Sequence, residues 1–236
     1  MRRLMLGTLM ALALPTLTQA APICVSGSLA DFIALGSGGC MVGDALFADF
    51  GASVVSPAAT PILPEDVIVS PLLSGTSLGL AFSLTSAVGP GEFEDLLIRY
   101  ELSGLGLLFV SNTLSMSGSS VTPDGAVTAV EEKCGGGVFG GSDPSTPCSG
   151  TLIGPLIVFD IGTIADLTET TPDFALTSFS DVFTEIAVDG GLSGSASLGT
   201  VTNEFEFAPT QVVPEPTSVL LLGSGMIAVL RRRRRR

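Results

Sequence analysis

An all-β fold, an antiparallel β-sandwich or jelly roll with a short N-terminal helix, is what this chain of 236 residues predicts. Three observations carry that expectation. Short segments with apolar residues at every second position recur through the body, Gly, Ser and Pro clusters separate them, and a helical signal stands out only once between the two ends. Apolar residues make up 46 % of the chain, while 29 Gly and 15 Pro fall short of the ~25–30 % that signals disorder. The body therefore reads as a folded, loop-rich domain.

The elements follow in chain order. Ser28-Leu29-Ala30-Asp31 has capping-box form, with Ser28 placed to cap the Asp31 amide, and Phe32 to Leu35 continue the helix until Gly36 stops it. Leu78 to Leu84 is the first strand candidate. Ile98, Tyr100 and Leu102 then alternate with Arg99 and Glu101, a half-buried strand with two charges on its wet face. Leu105 to Ser111, Ala126 to Val130 and Leu156 to Phe159 are further candidates between turn clusters. Val182 to Val188 alternates ahead of the turn Asp189-Gly190-Gly191, and Glu204-Phe205-Glu206-Phe207 is the expected last strand, followed by a linker from Ala208 to Val213. No internal repeat is evident.

The two ends read as export signals. Arg2 and Arg3 precede an apolar run from Leu4 to Leu14, and Thr18-Gln19-Ala20 supplies small residues before a cut, so residues 1–20 form a secretory signal peptide, cleaved after Ala20 with Ala21 as the alternative. At the other end Val213-Pro214-Glu215-Pro216 leads into an apolar run from Thr217 to Leu230, which the arginines Arg231, Arg232, Arg233, Arg234, Arg235 and Arg236 close. Fourteen residues of helix reach about 21 Å, against about 30 Å of hydrocarbon, too short for a comfortable permanent span. Pro214 and Pro216 keep the helix from extending upstream, and the arginines stay cytoplasmic under the positive-inside rule. The expected organisation is thus a signal peptide over 1–20, an acidic β-sandwich domain over 21–207, and over 208–236 a linker and sorting signal with a short transmembrane segment at 217–230.

The motif Val213-Pro214-Glu215-Pro216-Thr217, the short apolar helix and the arginine cluster resemble, in order and spacing, the PEP-CTERM sorting signal of exported bacterial proteins. The resemblance covers about a tenth of the chain. It implies export through the Sec translocon with signal peptidase, transient inner-membrane retention through 217–230, and cleavage near Pro214–Pro216 by an exosortase-type transpeptidase that delivers the protein to the surface or extracellular matrix of a Gram-negative bacterium making exopolysaccharide or biofilm. These residues are a processing address and no catalytic site of this chain. The segment Leu29 to Phe50 more weakly resembles the opening of other PEP-CTERM proteins and brings no activity with it.

Charge and cysteines narrow the function further. The formal net charge of −13 understates the body, where 23 acids between Asp31 and Glu215 face two bases, Arg99 and Lys133. Such a surface repels nucleic acid and anionic membrane, attracts divalent cations diffusely and suits solubility outside a cell. Four cysteines, Cys24, Cys40, Cys134 and Cys148, read as two disulfides in an oxidising compartment. Three pairings are possible, and the sequence-local one, Cys24 with Cys40 and Cys134 with Cys148, is expected to close two loops worth about 3 kcal/mol each.

The chemistry that is missing matters as much. Without a single His, Ser-His-Asp and Cys-His systems and an imidazole base are excluded, and no CxxC spacing supports zinc. A Ser–Lys dyad would have to use Lys133, which reads instead as a solvated partner of Glu131 or Glu132. Paired-carboxylate glycoside hydrolysis is open by residue type, but the chain has no Trp and only Tyr100 to stack on a sugar, and its 13 Phe read as core. Calcium has candidate ligands in Glu92, Glu94, Asp95 and Asp143, though no EF-hand loop, and the Glu92–Asp95 run reads as solvated charge leading into a strand. Gly135 to Gly141 lacks the Lys-Ser/Thr of a phosphate loop. No catalytic, metal or cofactor residue is assigned. The expected function is that of an exported, non-enzymatic surface or matrix protein with exopolysaccharide as a further partner; the alternatives are a glycan- or calcium-binding module and a carboxylate-based glycoside hydrolase.

Overall fold

A computed structural model describes residues 20–56 and 61–209. The expected signal peptide as far as residue 19, the motif Val213–Thr217, the apolar segment 217–230 and the terminal arginines lie outside the described residues. Among the described residues fourteen strands build two seven-stranded antiparallel sheets. In chain order they are β1 (Gly27–Ser28), β2 (Cys40–Val42), β3 (Ala45–Val55), β4 (Ile68–Ser74), β5 (Ser77–Val88), β6 (Phe93–Gly104), β7 (Leu107–Ser117), β8 (Ser120–Val121), β9 (Ala126–Gly135), β10 (Thr151–Asp160), β11 (Ala165–Asp166), β12 (Thr168–Thr170), β13 (Phe179–Asp189) and β14 (Ala196–Pro209). The first sheet runs β1-β4-β5-β14-β7-β12 with β8 beside β14; the second runs β11-β10-β9-β13-β6-β3-β2. The last two long strands, β13 and β14, lie inside their sheets rather than at an edge, so the fold closes on its C-terminal third.

The core lies between the sheets and follows the period of two. In β6, Leu96, Ile98, Tyr100 and Leu102 are buried while Leu97, Arg99 and Glu101 turn to the other face; in β13, Val182, Ile186 and Val188 point inward. Phe47 and Phe82 pack on the Tyr100 ring, with Phe50 stacked on it at 5.6 Å. The helix α1 (Leu29–Ala34) is held by the expected capping box: Asp31 N donates to Ser28 Oγ at 3.1 Å and Ser28 N to Asp31 Oδ2 at 3.0 Å. It drops Leu29 and Phe32 into the core, Phe32 edge-on to Phe50.

Disulfides join Cys24 to Cys40 and Cys134 to Cys148. Two strands, β3 and β4, lie ahead of the first strand candidate at Leu78 to Leu84 and were not expected from the sequence. In β3 the register shifts between Ala48 and Gly51 around Asp49, whose φ of 50° is left-handed, so the alternation breaks mid-strand. In β4, Pro71 interrupts the apolar pattern, a residue that argues against a strand when read alone. At the far end, β14 runs on to Pro209, two residues into what the sequence reads as linker.

Candidate functional site

Two features stand out from apolar packing: a groove on the outer face of the second sheet, and a polar chain through the sandwich interior.

The groove is built by the loop that the Cys134–Cys148 disulfide ties down. From β9 the chain passes over the outer face and returns as β10, seating Phe139 edge-on against Phe183 of β13 at 5.0 Å. Those rings, Cys134 and the partly buried Leu97 and Cys148 form a second, small apolar cluster outside the main core. Arg99 covers Phe183 from above, its guanidinium 5.3 Å from the ring centre, and donates from Nε and Nη2 to Asp181, which is fully buried. Asp181 also accepts from Phe139 N at 2.9 Å, and Arg99 Nη1 donates to Gly141 O at 3.2 Å, so one ion pair anchors the loop to the sheet. The Asp181 hydrogen bonds hold the Arg99 guanidinium above its ordinary pKa.

Leu97 and Phe183 are shared by two hollows on this face. One, of about 220 Å³, lies between Asp49, Ser53, Arg99 and Ser142; the other, of about 410 Å³, is rimmed by Glu132, Asp143, Glu185 and Leu152. Carboxylates dominate the surroundings. Burial, then Asp95, Asp143 and Glu132, push the Glu185 carboxyl up; burial, then Asp49 and Asp181, do the same to Glu101, against the pull of Arg99. Asp95 is raised by burial alone, and its Oδ1 has no hydrogen-bond partner. Such a surface can accept hydrogen bonds from hydroxyl groups along an apolar floor. It offers no stacking platform there, since Phe183 is only 1 % exposed and Tyr100 is sealed in the core.

The calcium candidates do not converge. Glu94 turns inward and is buried, accepting from Ser86 Oγ at 2.6 Å and Ile62 N at 3.2 Å, which corrects the reading of Glu92 to Asp95 as uniformly solvated. Glu92 accepts from Gly89 N at 2.7 Å, Asp95 lies on the outward face of β6, and Asp143 closes its own turn by accepting from Ser145 N. Among the described residues no group of three or more His, Cys, Asp or Glu side chains is placed to hold a metal ion.

The interior chain overturns a second expectation. Lys133 is not a solvated partner of its neighbours: it is fully buried, because β9 continues past Val130 and keeps Val127, Ala129, Glu131 and Lys133 in phase on its inner face. Lys133 Nζ donates to Glu131 Oε1 at 2.6 Å and to Asn112 Oδ1, in β7 of the opposite sheet, at 2.5 Å. Asn112 Nδ2 donates onward to Asn203 Oδ1 at 2.5 Å and to Glu204 O at 3.2 Å. Asn203 Nδ2 completes the chain to Tyr100 Oη at 2.6 Å. None of the five residues is exposed to solvent. Sequence reasoning missed Asn112 and Asn203, which carry no motif; for Glu131 and Lys133 the in-phase alternation from Val127 to Lys133 is the signal that could have placed them inside.

Residues 212–235 match the family model of the PEP-CTERM protein-sorting motif, so the chain carries the sorting signal of an exported exosortase substrate. No curated protein matches the chain. Among solved structures, TmCBM61 in complex with β-1,4-galactotriose shares 8 % identity over 67 % of this chain and 88 % of its own, with a TM-score of 0.27. A family 11 carbohydrate-binding module from Clostridium thermocellum, in complex with a mixed-linked tetrasaccharide, shares 10 % over 76 % and 96 %, with a TM-score of 0.20. A family two carbohydrate esterase from Cellvibrio japonicus shares 13 % over 70 % and 37 %, with a TM-score of 0.22. Likenesses at these scores support no argument about function.

Proposed function

We propose that this chain is a non-enzymatic component of the cell surface or extracellular matrix of a Gram-negative bacterium. The observation that carries the reading is the sorting motif at 212–235. Sec and signal peptidase handle the N-terminus, the short apolar segment 217–230 holds the chain in the inner membrane for a time, and an exosortase-type transpeptidase cuts near Pro214–Pro216 and frees the acidic sandwich. The body has two bases against its acids, which disfavours nucleic acid and suits hydration within polysaccharide. No cofactor is assigned to it.

The test is fractionation of cells making the wild-type chain or a variant with Pro214, Glu215 and Pro216 all replaced by Ala. Wild type is expected in the envelope and medium, with the variant trapped in the inner membrane. Identical distributions would sink the reading.

A second reading, a glycan-binding module, is favoured by the groove floored by Leu97 and rimmed by Glu132, Asp143 and Glu185. Retention on the host's own polysaccharide, weakened by Glu132→Gln with Glu185→Gln, supports it; turnover of that polysaccharide would make the chain a carboxylate hydrolase instead. A melting point raised by millimolar calcium and restored by chelator would point to a calcium-binding module.

A further inference from the structure

The polar chain through the sandwich is expensive as a purely structural device. A buried ion pair gives little net stability, and hydrophobic residues of equal volume serve as well or better. This one also leaves an atom unmet: Glu131 Oε2 is buried with no hydrogen-bond partner. The arrangement does have the three parts of an acyl transfer. Lys133 supplies an amine, Asn112 a carboxamide whose oxygen lies 2.5 Å from that amine, and Glu131 a carboxyl 2.6 Å from the same nitrogen. All three are sealed from water, and Asn203 holds the Asn112 nitrogen from behind.

We infer that Lys133 and Asn112 join in an intramolecular isopeptide bond, with Glu131 moving the protons. Attack needs the free amine, so the first step passes one proton from the Lys133 Nζ to the Glu131 carboxylate beside it. Burial raises the Glu131 carboxyl, against the opposing pull of Lys133 and Asn112, in keeping with that transfer. The Nζ lone pair then attacks Asn112 Cγ, one bond behind the oxygen it already touches, while the Glu131 acid donates to Oδ1 as charge develops there. A proton from Nζ travels through Glu131 to Nδ2; the carbonyl re-forms as the Oδ1 proton returns to Glu131, the Cγ–Nδ2 bond breaks, and ammonia leaves with Glu131 protonated. One C–N bond forms and one breaks, with no oxidant, reductant or cofactor. The product ties β7 of the first sheet to β9 of the second, a clasp that reducing agents do not open.

The sequence makes the test simple, because Arg99 and Lys133 are the only tryptic sites between Arg3 and Arg231. The exported full chain, purified, reduced, alkylated and denatured, is expected to weigh about 17 Da less than its sequence and to resist trypsin after Lys133 while being cut after Arg99. Glu-specific digestion should yield the peptide of Asn112 linked to that of Lys133. Glu131→Gln and Asn112→Ala should each restore full mass and cleavage at Lys133. The wild-type measurement decides the matter even if neither variant folds. Full mass with normal cleavage at Lys133 in the folded, disulfide-bonded protein overturns the inference. So does a mass loss without the linked peptide, which would place the missing ammonia elsewhere, or a mass loss that persists in Asn112→Ala.

Discussion

Arg99 grips Asp181 with two parallel bonds, Nε to Oδ1 at 2.9 Å and Nη2 to Oδ2 at 2.7 Å, across the β6–β13 ladder. The guanidinium is part-exposed and the carboxylate fully buried, so the pair is a lid over a charge that could not be left alone. Through Phe139 N and Gly141 O the same pair carries the disulfide-bound loop. Fold stability and groove shape are therefore coupled through this pair, beside the Cys134–Cys148 bridge.

Arg99→Ala leaves Asp181 buried with only the Phe139 amide for company. Unfolding in urea should show a loss of about 3 kcal/mol, and Arg99→Lys should recover only part of it, because an ammonium cannot make the two-pronged bond. Equal stability of Arg99→Lys and wild type would contradict the two-pronged account.

Removing the Cys134–Cys148 bridge by a double Ser substitution should cost about 3 kcal/mol in the same assay, in line with a loop of this length. Proteolysis should then begin between Gly136 and Ser149, since Phe139 loses its tether to Phe183. Cleavage starting elsewhere would place the weakest segment outside this loop.

The groove carboxylates set the sign of the pH dependence. Asp95, Glu101 and Glu185 titrate above the ordinary 3.8 of Asp and 4.5 of Glu, chiefly through burial. A raised acid binds its proton more tightly in the folded state, so its contribution is complete below the ordinary value and is lost as pH rises through the folded value. Asp31 and Asp143, lowered by hydrogen bonds from Ser28 and Ser145, act the opposite way: their contribution holds above 3.8 and fades as pH falls through their folded values. The melting point should rise as pH falls from neutral towards the ordinary carboxylate values of 4.5 and 3.8, and turn down as pH falls on below 3.8; Glu185→Gln should flatten the upper limb. A melting point that drops as pH falls from neutral to 4.5 would count against these raised carboxyls.

Gly79 of β5 lies where a methyl group has no room: a Cβ there would stand 2.0 Å from Asn203 O. Gly79→Ala should destabilise by about 1–3 kcal/mol, measured by thermal or urea unfolding, by pushing β5 off β14. A neutral result would mean that β14 shifts freely, and with it the Asn203 end of the interior chain.

Much of this was legible in the residues. Alternation in Ile98–Leu102 and Val182–Val188 identified the two central strands β6 and β13, and the capping box at Ser28 and Asp31 located the helix. What escaped did so for physical reasons. The bulge at Asp49 breaks the period of β3, Pro71 disguises β4, and a lone Lys beside two Glu reads as solvent-facing unless the strand is followed two steps further. The groove depends on a loop folding back across a sheet, and the interior chain on register between sheets distant in sequence. Local pattern contains neither.

The most direct check on the central claim is the mass of each terminus of the protein recovered from its native host's envelope and medium, mapped by peptide after reduction. The account predicts a chain that begins at Ala21 or Pro22 and ends near Pro214–Pro216, without the six arginines. A chain still ending at Arg236 and confined to the inner membrane would make the tail a plain anchor, and the surface-matrix role would fall with it.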